Sequence, residues 1–415
     1  MSNTNLTVDW IGNEALALAH EKAQFIGTIN RQFDSSFKPG YGSTIRIRVP
    51  SQYTQSSGRV IDVQDGVEQS TNIVVATQNH VAMRYNSQEY SQDLVNFRKL
   101  HLEPAMAQLV SYIDGQVLQS ATQNTYNIVG TANTAISSLT YTGLARARLN
   151  QYLAPKDNRN IVIDSVTMSE IIPNQAAYFA PQKDVSERYR EGFIARTAMA
   201  DFYENERVWG MAFPVTTDTQ ANSTWTSTYT ITDGDVDLTV SSLTFTPIVG
   251  QTFTIGHAST NGVYAVHPET KQVYTHLQTF VITSASASTA GTQSTMSFSP
   301  PIRLTGARKN VGRSDGSDLI VSSLTSMLVR FTGGTNSTFA QPLMYHRDAF
   351  TFATCPLPLM GDAISCVVKT YDGISLRVWE ASDIRNDEKL TRIDILWGQA
   401  AIRPQWACRL IGTGV

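Results

Sequence analysis

At 415 residues, the chain is long enough for two or three hydrophobic cores, since single domains usually hold about 100–200 residues. Hydrophobic residues make up 41% and charged residues 16%, with 32 Lys and Arg against 35 Asp and Glu. This near-neutral balance argues against a dedicated nucleic-acid binder. No apolar run reaches the roughly 18–20 residues that a membrane span requires.

The cysteine count and the N-terminal sequence indicate a reducing compartment. Cys355, Cys366 and Cys408 are an odd and sparse set, which disfavours a disulfide scaffold. Residues 1–9 lack the basic start and apolar stretch of a secretory signal. We therefore expect a large protein made in the cytosol.

The N-terminal part predicts a helix followed by a long hairpin. Apolar residues recur at helical spacing from Val8 to Phe25, after the capping candidates Asn5 and Thr7. The alternating sequence Thr-Ile-Arg-Ile-Arg-Val at 44–49 predicts a half-exposed strand, and residues 71–85 predict a second. A polar stretch joins them. An isolated hairpin is marginal in water, so we expect this one to rest against another element or subunit.

The next part of the chain predicts helices and then a mixed segment. Residues 87–125 have a helical pattern that Pro104 interrupts, which indicates a short helix and then a longer one. Within residues 142–215 we predict a helix at 143–152, a buried strand at 160–163 and a helix at 166–172.

The composition changes sharply after residue 215. Ser, Thr, Asn and Gln dominate residues 216–300, where Lys271 is the only Lys or Arg. Short alternating runs predict the strands of a small β-barrel or sandwich, at 226–232, 237–245, 252–255, 278–283 and 295–298. Further strands are predicted at 350–354, 365–370, 375–378 and 391–396, with Asp372-Gly373 as a two-residue hairpin turn. The prediction is an α+β scaffold that carries an inserted β-rich domain.

Candidates for metal binding are weak. His257, His267 and His276 are close in sequence, but solvent-facing histidines explain them better than a metal site, since no cysteine lies among them. Asp233, Asp235 and Asp237 alternate and would share one face of a strand, where they could hold Ca²⁺. An acidic, solvated turn is the simpler interpretation.

Candidates for catalysis and stacking are equally weak. The glutamates at 187, 191, 204 and 206 could pair for hydrolysis, although helical surface charges explain them better. The tryptophans at 209, 225, 379, 397 and 406 are scattered, and we expect core packing rather than a stacking platform with basic residues.

Arg46 and Arg48 are more informative, because two arginines on one strand face suit an interface. Carboxylates of a neighbouring subunit, nucleic acid and solvent all remain open as their partners.

Several stretches together resemble the major capsid proteins of short-tailed, P-22-type phages. Lys-Pro-Gly-Tyr-Gly-Ser-Thr-Ile-Arg-Ile-Arg-Val-Pro at 38–50 is similar to the entry of that family's extended loop, and Leu-Glu-Pro-Ala-Met at 102–106 to part of its spine helix. Asp-Ile-Leu-Trp-Gly at 394–398 resembles its C-terminal strand. Further similar segments occur in the same order, at 30–33, 67–70, 158–163, 189–192, 202–205, 262–272, 277–280 and 403–404. The family often has Gly-Phe where this chain has Ala200-Asp201-Phe202.

The resemblance implies the Hong Kong 97 capsid fold with an inserted β-barrel domain. Its domains would be an N-terminal arm (1–37), an extended loop (38–86), a spine helix with peripheral domain (87–141), an axial domain (142–215), the insertion (216–345) and return strands (346–415). It also implies a structural protein with no catalytic site, metal or cofactor.

The partners implied by the resemblance are those of a phage shell. Copies of the chain would form hexamers and pentamers of an icosahedral procapsid in the host cytoplasm, with a scaffolding protein and a portal protein. Packaging of double-stranded DNA would then mature the shell into a virion, to which decoration proteins could bind. A container wall needs little positive charge, because strong basic contacts would hold the DNA at every subunit.

The charged residues of the loop and the insertion are our candidates for contacts between subunits: Arg46, Arg48, Arg59, Asp62, Glu68, Asp233, Asp235, Asp237, Arg308, Lys309 and Arg313. Two other classes of protein compete with this hypothesis. A carbohydrate-binding or adhesion protein would use the Ser/Thr-rich β segment. A hydrolase would use paired carboxylates, of which Glu187 and Glu191 are the best placed.

Overall fold

The chain forms two compact units. A computed structural model describes residues 8–33, 36–37, 42–61, 63–66, 68–86, 101–131, 134–136, 138–171, 200–212, 232–241, 243, 245–256, 262–286, 293–316, 327–333, 338–361, 365–371 and 373–412. The first unit comprises Met1–Val49, Ser70–Leu118 and Phe350–Ile402. The second comprises Pro50–Gln69, Gln119–Ala349 and Arg403–Val415.

Within the described residues there are five α-helices and 21 strands. The helices are α1 Val8–Lys22, α2 Phe25–Thr28, α3 Glu103–Asn124, α4 Leu139–Gln151 and α5 Ser165–Ile171. The strands are β1 Thr44–Val49, β2 Gln69–Asn86, β3 Ile128–Gly130, β4 Arg159–Ile163, β5 Asp201–Glu204, β6 Gly210–Ala212, β7 Asp237–Ser241, β8 Thr252–Ile255, β9 Tyr264–Val266, β10 Val273–Leu277, β11 Thr279–Ala285, β12 Gln293–Ser299, β13 Val311–Gly312, β14 Val329–Phe331, β15 Thr338–Ala340, β16 Leu343–His346, β17 Phe350–Thr354, β18 Ser365–Tyr371, β19 Ile374–Asp383, β20 Glu388–Ala401 and β21 Ala407–Ile411.

The first unit is built on a six-stranded sheet in the order β1-β2-β20-β19-β18, with β17 beside the C-terminal part of β20. The support expected for the hairpin comes from the same chain, because β2 pairs antiparallel with almost the whole of β20, from Val74 opposite Gln399 to Asn86 opposite Glu388. Ile73 and Val75 are buried against Ala353 of β17, which anchors the base of the hairpin. Strands β18 and β19 form the predicted hairpin, since Tyr371 pairs with Ile374, while Asp372 of the predicted turn lies outside the described residues.

Helices cover one face of this sheet. Gly12 of α1 lies against Val367 and Lys369 of β18, so closely that a Cβ at position 12 would be 3.2 Å from Lys369 Cγ. The N-terminal helix is shorter than the predicted range of Val8 to Phe25. It ends at Lys22, and α2 then begins where Oδ1 of the buried Asp114 accepts hydrogen bonds from the N–H groups of Phe25 and Ile26, each at 3.0 Å.

The long helix α3 begins as its sequence predicts. Pro104 is its second residue, a position where the missing N–H is harmless. The shorter helix predicted before it, and the capping candidates Asn5 and Thr7, lie outside the described residues. None of the helices in the described ranges is both long and apolar enough to cross a membrane.

The second unit contains a mixed sheet in the order β3-β21-β16-β4-β5. The predicted strand at 160–163 is β4, which is buried along its whole length. It runs parallel to β5 and antiparallel to β16. Helix α4 packs on this sheet through Ala145 and Leu149, as the sequence of residues 143–152 predicts.

The Ser/Thr-rich part of the second unit forms further antiparallel sheets, in the orders β14-β8-β11-β12-β7 and β10-β9-β13. Their core is aromatic: Phe253 contacts Phe280, Phe298 and Phe331 at ring centroid distances of 5.6–6.0 Å. Strands β9 and β10 were not predicted, because turns around Pro268 and Gln278 divide them into short pieces. The strand predicted at 226–232 lies almost wholly outside the described residues.

Arg409 of β21 joins three segments of the second unit although it is fully buried. Its Nε donates to Thr125 O at 2.7 Å, and its Nη1 donates to Gly250 O at 2.7 Å and to Gln341 Oε1 at 2.8 Å. Among the described residues no carboxylate contacts it. Burial lowers the pKa of Arg409 to about 9, so the guanidinium remains protonated near neutral pH.

Candidate assembly surfaces

Arg46 and Arg48 lie on the exposed side of β1, as the alternation predicts, while Ile45 and Ile47 are half-buried on the other side. Arg46 Nε donates to Ser70 Oγ at 2.7 Å. Arg48 also interacts within the chain. The Arg46 guanidinium is therefore held at the hairpin base, and both arginines remain accessible to a partner.

The connection between β1 and β2 is a closed loop with an apolar surface. Gln64 fastens it, because its Oε1 accepts from Thr54 N at 2.8 Å and its Nε2 donates to Thr54 O at 2.7 Å. Val60, Ile61 and Val63 are 86%, 84% and 83% exposed. We call these three residues the aliphatic tip. Monomeric proteins rarely leave clustered aliphatic side chains in water, so such a cluster indicates a contact surface.

The charged candidates of the loop flank this tip. Arg59 precedes it and is exposed. Glu68 follows it, is exposed, and interacts within the chain. Asp62 lies outside the described residues.

Asp233, Asp235 and Asp237 do not lie together on one strand, since only Asp237 belongs to β7. Gly234 has a φ of +95° and turns the chain, so the three carboxylates bind separate donors. Asp233 Oδ1 accepts from Leu304 N at 2.6 Å, Asp235 Oδ1 from the Thr232 hydroxyl at 2.8 Å, and Asp237 Oδ1 from the Ser297 hydroxyl. This arrangement favours the acidic-turn interpretation over a Ca²⁺ site.

The basic candidates Arg308, Lys309 and Arg313 are half-buried near β13. The loop that carries Arg308 and Lys309 is held by Lys271, whose Nζ donates to Ala307 O and Pro268 O, each at 2.6 Å. Burial lowers the pKa of Lys271, and the nearby charge of Lys309 adds to the effect.

The described residues that were candidates for metal binding or acid–base chemistry do not come together in one site. His267 Nδ1 accepts from the N–H groups of Glu269 and Thr270. Burial, with a smaller effect of Arg148, lowers the pKa of His276 to about 3. Glu204 is exposed, and Glu206 accepts from Ser165 N at 3.3 Å. His257, Glu187 and Glu191 lie outside the described residues, and the others include no group of three potential metal ligands.

The expectation of core packing without basic residues does not hold for Trp379 and Trp406, which have arginines beside their rings. The guanidinium carbons of Arg377 and Arg392 lie 5.8 and 5.9 Å from the Trp379 ring centroid. Arg403 lies 4.1 Å from the ring centroid of Trp406. The buried Asp394 organises the first group, because its Oδ2 accepts from Arg377 Nη2 at 2.7 Å and from Trp379 Nε1 at 3.0 Å. Strand register brings these residues together.

Comparison with known protein families identifies what kind of protein these surfaces belong to. The model of the family described as P22 coat protein, gene protein 5, matches residues 42–412. The chain belongs to the P22 coat protein family. It is thus a coat protein, the structural major capsid protein of a tailed bacteriophage. No sequence among curated proteins matches this coat protein.

A similar solved structure supports the fold. The coat protein resembles a chain described as Mycobacterium phage Che8, with a TM-score of 0.50, 9% identity and coverage of 94% of this chain and 90% of that chain. It has the Hong Kong 97 fold. Other similar structures are the capsid of the cyanophage P-SCSP1u (TM-score 0.44, 9% identity, 91% and 86% covered) and the capsid of Ralstonia phage GP4 (0.42, 7%, 95% and 94%).

Two features of the coat protein escaped the sequence analysis. The aliphatic tip lies in the stretch that was expected to be polar, although Val60, Ile61 and Val63 were the signal that could have revealed it. The Trp379 group could have been found by aligning the alternating strands on either side of residues 384–387, which places Trp379 opposite Arg392 and Arg377 opposite Asp394.

Proposed function

We propose that copies of this chain assemble into the hexamers and pentamers of a closed icosahedral shell that encloses double-stranded DNA. The shell forms in the host cytoplasm as a procapsid with a scaffolding protein and a portal protein, and it matures when DNA is packaged. Membership of the coat protein family supports this proposal. The observation in the structure that carries it is the aliphatic tip, which the described residues of its own loop leave exposed.

The loop contributes free energy to assembly mainly by burying the tip. Burial of apolar surface is worth roughly 25 cal/mol per Å², and a shell repeats the contact in every subunit. The charged candidates Arg46, Arg48, Arg59, Asp62 and Glu68 would then orient the contact rather than supply most of its free energy, since exposed ion pairs are worth about 0–1 kcal/mol each.

The Ser/Thr-rich part has a role of its own in the proposal. We assign residues 216–345 to an inserted domain that makes contacts within or between capsomers through Asp233, Asp235, Asp237, Arg308, Lys309 and Arg313. The order of domains is the one expected from the sequence, from the N-terminal arm (1–37) to the return strands (346–415). Decoration proteins would bind the outer surface, and the function requires no cofactor or catalytic step.

Polar substitution of the aliphatic tip tests the proposal most directly. The triple variant Val60→Ser, Ile61→Ser, Val63→Ser removes apolar surface that is already in water, so the unassembled subunit should keep its stability. Co-expressed with the scaffolding protein of the same phage, it should yield at least tenfold fewer closed particles by electron microscopy and sedimentation velocity. Val166→Ser, a change at another exposed valine, is the matched control. Normal particle yield from the triple variant would contradict the proposal for the tip.

Charge reversal at the hairpin base is the second test. Arg46→Glu with Arg48→Glu should impair shell formation while leaving the subunit folded, because both side chains are exposed. The matched variant Arg46→Lys with Arg48→Lys keeps the charge and should still assemble. Particle counts, together with circular dichroism of the unassembled subunits, give the result. If the glutamate variant forms normal shells, these arginines make no essential contact.

A further inference from the structure

The surface of interest is the sheet face of the first unit that α1 does not cover. Gly12 of α1 contacts Val367 and Lys369, so α1 lies on the side of the sheet to which those residues point. Arg377 and Trp379 of β19 point to the opposite side, as do their cross-strand partners Asp394 and Arg392 of β20.

Arg392 is fixed in place on this opposite face. Its Nε donates to Asp394 Oδ1 at 2.7 Å, and its guanidinium lies over the Trp379 ring. The two terminal nitrogens donate no hydrogen bond to any described residue, and the side chain is 34% exposed. Since a guanidinium offers a planar fork of donors, Arg392 presents a preorganised site for an oxyanion.

The neighbouring strand leaves room beside that fork. In the register of β2 and β20, Ala82 lies directly opposite Arg392, and His80 lies opposite Asp394. Both are exposed. The small side chain of Ala82 makes a notch between Arg392 and His80, and we call these three residues the anion notch.

The charges around the notch leave one guanidinium without a carboxylate of its own. Arg84 pairs with Glu388 at 3.2 Å, and Arg377 pairs with the buried Asp394 at 2.7 Å. Arg392 shares Asp394 with Arg377. The notch therefore has a surplus positive charge, although the whole chain carries a formal net charge of -3.

We propose that the anion notch binds the carboxylate of an Asp or Glu side chain from a second copy of this chain. This inference rests on the proposed function, because it requires copies in contact. Charge complementarity favours it, since each copy has 35 acidic side chains to offer. A nucleic-acid backbone fits less well, because it is held by many cationic contacts, whereas Arg84 and Arg377 are already paired and Arg392 alone is left to offer a charge here.

Arginine footprinting of the wild-type chain tests the notch. Free subunits and DNA-free particles are treated with phenylglyoxal, and modification is quantified by peptide mass spectrometry. Arg392 should react at least tenfold more slowly in particles than in free subunits, whereas the buried Arg377 should be unreactive in both. Equal reactivity of Arg392 in both states overturns the inference, as does protection that occurs only in DNA-filled particles.

A crosslinking experiment identifies the occupant. Arg392→Lys keeps the charge and introduces an amine that a carbodiimide can couple to a carboxylate in contact. Particles assembled from this variant should give a link between position 392 and an Asp or Glu of another copy, absent from free subunits. Links to Asp394 of the same chain alone overturn the inference. If the wild-type chain forms no particles with its scaffolding protein, the proposed function itself fails, which is a different result from particles with an unprotected Arg392.

Discussion

Asp394→Asn should destabilise the first unit by about 3–5 kcal/mol, the usual cost of removing one partner of a buried ion pair. Asp394 is fully buried, and Arg377 is buried beside it, so the variant leaves a guanidinium without its counter-charge. Arg392 is more exposed to water than Arg377, so the loss of the Asp394 charge costs it less free energy. The measurement is the urea dependence of hydrogen exchange in peptides from residues 374–401. Asp383→Asn, at the end of the neighbouring strand β19, is the control and should cost less than about 1 kcal/mol.

The same variant should change how stability depends on pH. Burial raises the pKa of Asp394, but hydrogen bonds from Arg377 and Arg392 outweigh that effect and hold the pKa below its ordinary value. A carboxyl with a lowered folded-state pKa stabilises the fold above its unfolded pKa of about 3.9, and the contribution is lost as pH falls through the folded value. The difference in stability between wild type and Asp394→Asn should therefore shrink below about pH 4. A constant difference from pH 7 to pH 3 would contradict this assignment.

Arg409→Met should destabilise the second unit by about 3 kcal/mol or more. The methionine can fill the space of the side chain, but Thr125 O, Gly250 O and Gln341 Oε1 lose their donor in a buried site. Each buried acceptor left without a partner costs about 1–3 kcal/mol. The variant no longer buries a charge that lacks a counter-charge, and this gain offsets part of the cost. Urea unfolding followed by exchange of peptides from residues 119–131 and 338–349 measures the effect.

Two further variants separate the causes. Arg409→Lys retains the charge but cannot place donors on all three oxygens. The stability of its second unit should therefore lie between those of the wild type and the Arg409→Met variant. Arg403→Met removes a guanidinium that stacks on Trp406 at the surface, and it should cost about 0.5–1 kcal/mol. A methionine variant at 409 as stable as wild type would show that the three-way junction contributes nothing to the fold.

Strands with a period of two and a clear turn could be predicted from the sequence. The alternation at 44–49 gave β1, and the Asp-Gly pair gave the turn between β18 and β19. Strand partners over long separations could not be predicted, because no local pattern says which edge β2 joins. The bond between Gln78 and Asp394, for example, spans 316 positions.

Other features also depended on information that a local pattern lacks. The alternating aspartates at 233–237 left both a strand face and a solvated turn open, because a period-two pattern carries no information on the backbone conformation of Gly234. Gly234 adopts a left-handed conformation there and lets Arg303 approach Asp233. The environment of Trp379 depends on cross-strand register, which is fixed by the turn at 384–387 rather than by the residues around the tryptophan.

The position of β20 and β21 within their sheets has a consequence for synthesis of the chain. Both strands come from the C-terminal end of the sequence, yet β20 lies between β2 and β19, and β21 lies between β3 and β16. At 5–20 residues per second, a ribosome needs on the order of 15–60 s to pass from β2 to its partner.

During that interval one edge of the 18-residue strand β2 lacks its native partner, and such edges pair readily with other chains. The first sheet cannot close until β20 has been synthesised, and the mixed sheet of the second unit cannot close until β21 has been synthesised. The order of strands therefore makes the early strands dependent on late ones, and products that lack β20 or β21 would carry open edges that favour aggregation over ordered assembly.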